Sequence, residues 1–184
     1  MALIKVITQN SEDSPYTNKY KDRYAITDVV GYVLNPDKTD GYIGGWAVEP
    51  FQAAQEMELL ASLYHKTSGT RLRHWVISFS EDDLQYAVKK LRRTEMDTLM
   101  SLGYLFSQYY SHEHQVVFGV HQDTENYHIH FVMNTVSYTD GHKYTGTKQE
   151  YYDYIEYAKE VASRCRFQLY QVKDSAAEKP WCYG

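Results

Sequence analysis

Three histidines fall within the ten residues from His121 to His130, and two of them, His128 and His130, flank a single isoleucine. The run from Tyr127 to Val136 is rich in aromatic and β-branched residues, the composition of a strand. Residues two apart on a strand share a face, so His128, His130, Val132 and Asn134 project to one side and Ile129, Phe131 and Met133 to the other. Gln115 to Val120 reads as a second strand, and the link from Gln122 to Asn126 is short enough to turn the chain back. His121, at the mouth of that turn, is then expected to meet His128 and His130. Three neutral imidazoles around one divalent cation, with coordination positions left open, make a catalytic metal site. A single strand histidine is more often an ordinary packed residue; the clustering favours the metal. Asp123 is expected to accept the outer N–H of one ligand and fix its tautomer.

A three-histidine metal with no sulfur ligand polarises a phosphoryl oxygen, neutralises developing charge or generates hydroxide. If metal-bound water attacks, a nearby carboxylate or histidine serves as base and no special tyrosine is needed. If a side chain attacks, the metal only orients and polarises the phosphate, and a phenol becomes a plausible nucleophile. Nineteen tyrosines are available. Tyr32 is the best placed by local reasoning. Ile26, Val29, Val30 and Val33 recur at helical spacing within 21–34, and at about 100° per residue Tyr32 lies roughly 110° off the centre of that stripe.

The elements that must position these groups follow from the same patterns. Leu3 to Thr8 alternates as an opening strand, 9–18 is loop, and Asn35-Pro36 stops the helix that carries Tyr32. Residues 37–45, with three glycines, read as turn. A second helix spans 51–64, and Arg71 to Ser80 is a strand with a basic start. A helical stretch from Asp83 to Tyr110 breaks near Arg93-Thr94. After the histidine strands, Asp140-Gly141 predicts a hairpin returning through His142 to Thr147. Helix 150–164 and a short strand at 167–172 complete the domain, and 173–184 reads as a short tail. Antiparallel pairing around the histidines implies an α+β fold, a central antiparallel sheet flanked by helices, with the histidine strand in its middle.

At 184 residues the chain fits one domain, 1–172, with a core that needs no disulfides. Cys165 and Cys182 match no zinc spacing and imply a reducing, cytoplasmic setting. No apolar run has the length of a membrane span. A net charge of −5 excludes a general DNA-coating protein but not one that grips a few phosphates locally. The basic groups Arg71/Arg73, Lys89/Lys90/Arg92/Arg93 and Arg164/Arg166 are candidates for such contacts. His65, His74, His112, His114 and His142 lack ligand context and read as surface or packing residues.

The segment His121 to Asn134 resembles the H-x-D-T-x-N-x-H-x-H-x-x-x-N motif of conjugative relaxases, the mobilisation nucleases of the His-hydrophobic-His endonuclease superfamily. Val30 to Thr39, with a tyrosine before Asn-Pro-Asp-Lys-Thr, looks like that family's first motif. His74 to Ser80, a strand ending in Ser-Phe-Ser, looks like its second. The closest class is the MobA-like P class with a single catalytic tyrosine. The resemblance implies bacterial cytoplasmic nicking of single-stranded DNA at an origin-of-transfer hairpin, during plasmid or integrative-element mobilisation. Accessory relaxosome proteins and a coupling protein are the implied partners. It also implies that His121, His128 and His130 hold Mg, Mn or Zn, and that Tyr32 attacks to leave a 5′-phosphotyrosyl link. Asp123 then orients a histidine, Ser78, Arg71 and Arg73 contact DNA, and Asn134 is structural or supports the ligands from behind. Tyr16, Tyr20, Tyr24 and Tyr42 are nearby phenols, and the sequence does not decide whether one of them assists or replaces Tyr32. The alternatives are a rolling-circle initiator or single-strand transposase, a three-histidine hydrolase or oxygenase, and a non-catalytic origin-binding module. Many relatives run longer, so this chain is either a catalytic domain cut from one or a small relaxase.

Overall fold

Six strands form one sheet in the computed structural model, which describes residues 2–7 and 19–172. In chain order they are β1 (Ala2–Ile7), β2 (Ile43–Trp46), β3 (Leu72–Phe79), β4 (His114–His121), β5 (Tyr127–Ser137) and β6 (Leu169–Gln171). Their order across the sheet is β2-β4-β5-β3-β1-β6, which puts β5 in the middle as its apolar residues on both faces require. All pairs are antiparallel except β1 with β6, so the sheet is mixed rather than wholly antiparallel. The sequence marks β6 as a strand but carries no local signal for its neighbour or direction.

Helices α1 (Ala25–Val33), α2 (Pro36–Thr39), α3 (Ala53–Leu63), α4 (Glu81–Leu91), α5 (Glu95–Ser107) and α6 (Lys148–Arg164) divide between the two faces. One face carries Trp75, Ile77, Phe118, Ile129, Phe131 and Met133 under α4, α5 and α6, and is apolar over its centre, with Arg73 beside Met133 at its margin. The other is apolar only where Leu72, Val117 and Val132 lie under α1 and α3. Farther along that second face, register sets His121 opposite His128, Gly119 opposite His130, Val76 opposite His130 and Ser78 opposite His128. Helix α1 ends where the apolar half gives way to histidine. Its stripe residues Ile26, Val29, Val30 and Val33 are all buried, each worth roughly 1.5–3 kcal/mol, and they hold that end against the sheet.

Three departures from the expected elements have local causes. Residues 37–45 are not all turn. Asn35 accepts a hydrogen bond from Asp37 N (2.9 Å) to cap α2, and 43–46 forms edge strand β2. Its Gly44 and Gly45 hide the strand pattern, yet a Cβ at Gly44 would lie 2.4 Å from the Phe118 ring. The expected return strand at 142–147 is absent; only Val136 and Lys143 form an isolated bridge, and the turn at Gly141 folds over the start of β4 instead. The helical stretch 83–110 divides as expected. Arg92 takes a left-handed conformation (φ 53°), and Thr94 caps α5 by accepting from Asp97 N (3.1 Å). The loop 9–18 with Tyr16, and the tail 173–184 with Cys182, lie outside the described residues.

Candidate metal centre and its tyrosine

The last carbonyl of α1 joins the helix to the histidines. His121 Nε2 lies 2.9 Å from Val33 O, so that nitrogen carries the proton and donates, leaving Nδ1 with its lone pair. A glycine makes this approach possible: a Cβ at position 119 would sit 2.2 Å from the same carbonyl. Tyr32, one residue earlier, is swung onto the histidines by the same packing. Its ring centroid lies 5.4 Å from those of His121 and His130 and 6.5 Å from that of His74, with the residue 43% exposed.

The other two imidazoles are anchored just as firmly. His128 Nδ1 donates to Asn126 O (3.0 Å), which leaves Nε2 with its lone pair. His130 Nδ1 is 2.9 Å from His74 Nε2, and His74 Nδ1 is 3.1 Å from the Tyr20 hydroxyl. With Nε2 of His130 kept as a lone pair, its Nδ1 donates to His74, and His74 in turn donates to Tyr20. One ligand atom from each of His121, His128 and His130 lies within 4.8 Å of the others. His121 Nδ1 is buried with no hydrogen-bond partner among the described residues, and its lone pair would suit a cation. Burial, then the neighbouring histidines, holds His130 far below the usual imidazole range; burial also lowers His121. Both are therefore neutral at physiological pH, the form that binds metal. The donor set fits a divalent cation.

Asp123 does not hold an outer N–H, because Val33 O, Asn126 O and His74 already do. Its Oδ1 instead faces the coordinating edge, 3.6 Å from His128 Nε2 and 4.0 Å from His121 Nδ1. Its Oδ2 is ion-paired with Lys38. That hydrogen bond holds the Asp123 carboxyl below its usual range and raises the Lys38 ammonium. Lys38 Nζ also lies over the Tyr32 ring, 5.0 Å from its centroid. The Asn-Pro-Asp-Lys-Thr run therefore works as a capped turn, fixed to the end of β4 by Gln122 N donating to Lys38 O (2.9 Å).

Several expected contacts are placed elsewhere. Arg71 is 4% exposed and paired to Glu58 at 2.5 Å, and it donates to Arg23 O (2.8 Å), so its guanidinium is taken up as a buried brace. Arg73 stands in register with Met133 on the opposite face, donating to Thr145 O (3.1 Å) and lying over the Tyr144 ring. The Asn134 side chain is taken up by Met57 O, Gln115 Oε1 and Val136 N, so it ties β5 to α3 rather than backing a ligand. Ser78 is beside His128 on the histidine face. Of the other phenols, Tyr20 is buried in the His74 chain, Tyr24 is exposed at the start of α1, and Tyr42 packs partly into the core. His74 is no bystander: it is buried at the back of His130. Its place two residues before Val76, on the same strand face, was the available signal, but its partner depended on β3–β5 register.

No helix among the described residues is long and apolar enough to cross a membrane. No match was found among curated proteins. The family model for the MobA/VirD2-like relaxase nuclease domain matches residues 32–166, from Tyr32 through all three histidines to the end of α6. With most of its length in that match, the chain belongs to the MobA/VirD2-like relaxases and carries their DNA-nicking nuclease domain.

Proposed function

We propose that this domain nicks one DNA strand at an origin of transfer by direct attack of Tyr32 on the scissile phosphate. The observation that carries the reading is the exposed Tyr32 ring packed 5.4 Å from two of three mutually adjacent, outwardly anchored histidines. A divalent metal held by His121, His128 and His130 would neutralise charge on the phosphate oxygens and polarise the phosphorus. The chain's own groups do the rest. The Tyr32 oxygen forms a bond to phosphorus as the bond to the 3′-oxygen breaks. The phenol gives up its proton, and the departing oxygen takes one up to become a free 3′-hydroxyl. The 5′-phosphotyrosyl ester keeps the energy of the broken bond, so reversal rejoins the strand without a nucleotide cofactor. Lys38, held over the ring by Asp123, favours negative charge as it develops on the phenol oxygen. Ser78, which pairs with His128 in register, would contact the strand near the scissile phosphate.

The test is a denaturation-resistant protein–DNA adduct, formed with divalent metal and single-stranded oligonucleotides spanning the origins of the element that encodes the protein. The expected outcome is an adduct with the native chain and a loss of at least about 10³-fold in Tyr32→Phe. An adduct that persists in Tyr32→Phe would move the nucleophile to another phenol, Tyr24 or Tyr42 first.

A further inference from the structure

The opposite end of β4 holds a second group of metal-binding side chains. Ligand atoms of Glu113, His114 and His142 lie within 4.8 Å of one another. His114 opens β4 and His121 closes it, so the two clusters are about 23 Å apart at 3.3 Å per residue. The second one is assembled by the turn that follows β5. Ser137 N donates to His142 O (2.9 Å), Gly141 N to Ser137 O (3.0 Å), and Tyr138 N to Glu113 O (2.9 Å). These bonds fold 138–142 back across the start of β4, with the His142 ring 5.8 Å from that of His114.

Three features mark this as a site rather than a chance gathering. His114 is 3% exposed, and its Nδ1 is buried without a hydrogen-bond partner among the described residues. A buried polar atom left unpaired is costly, and a cation would relieve it. The His142 Nδ1 is tied to Asp140 Oδ1 at 2.6 Å, and His142 N donates to the same oxygen (3.0 Å). That carboxylate–histidine pairing fixes the ring and leaves Nε2 to face a ligand. Glu113 brings a carboxylate with no ion-pair partner among the described residues.

We propose that Glu113, His114 and His142 form a second metal site, oriented by Asp140 and taking a borderline transition ion, Zn²⁺ before all. Two imidazoles and one carboxylate suit zinc, whereas Mg²⁺ and Ca²⁺ prefer all-oxygen shells. The bound ion clips the turn after β5 to the start of β4, far from Tyr32. The inference stands on this cluster alone and is independent of the nicking reaction.

The decisive measurement is a zinc titration, followed by calorimetry and by Tm, of His128→Ala protein, which lacks a ligand of the first cluster. One tight equivalent that raises Tm is expected. Adding His142→Ala should weaken it by roughly 100-fold, because second-sphere losses alone reach 10–100-fold. His142 is 49% exposed at its side chain, so its removal leaves the core intact. The native chain should bind two equivalents and His142→Ala one, a comparison that does not depend on the folding of His128→Ala. Millimolar binding in the His128→Ala protein, an adventitious ion only, would overturn the proposal. So would a tight equivalent that survives in the His128→Ala/His142→Ala double variant.

Discussion

The two ends of β4 carry histidine clusters built on opposite plans. At the His121 end, the outer nitrogens are held by Val33 O, Asn126 O and His74, so the three rings are fixed by backbone and by a further buried ring. At the His114 end, one ring is held by the carboxylate of Asp140, two residues away in a surface turn. The first cluster draws partners from α1, α2 and β3 and has an exposed phenol against it; the second draws on a strand start and the turn folded over it. Long-range anchoring, which His121 and His130 have, suits a centre that must meet a phosphate in one geometry. Local anchoring suits a clip.

The contrast can be broken at its strongest point. His128→Ala should lower adduct formation by about 10²–10⁴-fold, as loss of metal-assisted chemistry does, while binding to an origin hairpin stays near native in a gel-shift assay. Equal loss of both would make the first cluster structural, like the second. A smaller effect sharpens the role of the buried ring behind His130. His74→Leu should weaken metal affinity at the first cluster by roughly 10–100-fold, with nicking recovering at saturating metal; a rate loss that metal cannot rescue would assign His74 more than positioning.

The smallest effect is on stability. His130 and His121 at one end and His114 at the other all have imidazoles held by burial below the usual range. For each, the unfolded chain takes up protons first as pH falls. Their contribution is therefore fully present above the unfolded value of 6.5 and is lost below it, by up to about 1.4 kcal/mol per pH unit for each group. The metal-free protein should show a Tm that drops between pH 7 and 5. His130→Gln should flatten that slope, and an unchanged slope would show that other groups govern it.

Much of this arrangement was legible in local pattern. Period-two alternation put His128 and His130 on one strand face, and the helical stripe of Ile26, Val29, Val30 and Val33 left Tyr32 off the core. Strand β2 was hidden because Gly44 and Gly45 carry no side chain to show alternation. Arg71 and Arg73 looked like phosphate contacts because charge in a sequence says nothing about which face, or which buried partner, receives it.

The amino-acid sequence by itself determined most of the strands and helices, the shared face of His128 and His130 and the off-stripe tyrosine, since each depends on neighbours within a turn or two of chain. Tertiary structure decided which imidazole nitrogens remain open, that Lys38 joins Asp123 and covers Tyr32, that His74 backs His130, and that His114 meets His142. Those contacts span separations of 88 residues for His121 with Val33, 85 for Lys38 with Asp123 and 56 for His74 with His130. Strand register and the approach allowed by Gly119 set them, and neither leaves a local periodic trace.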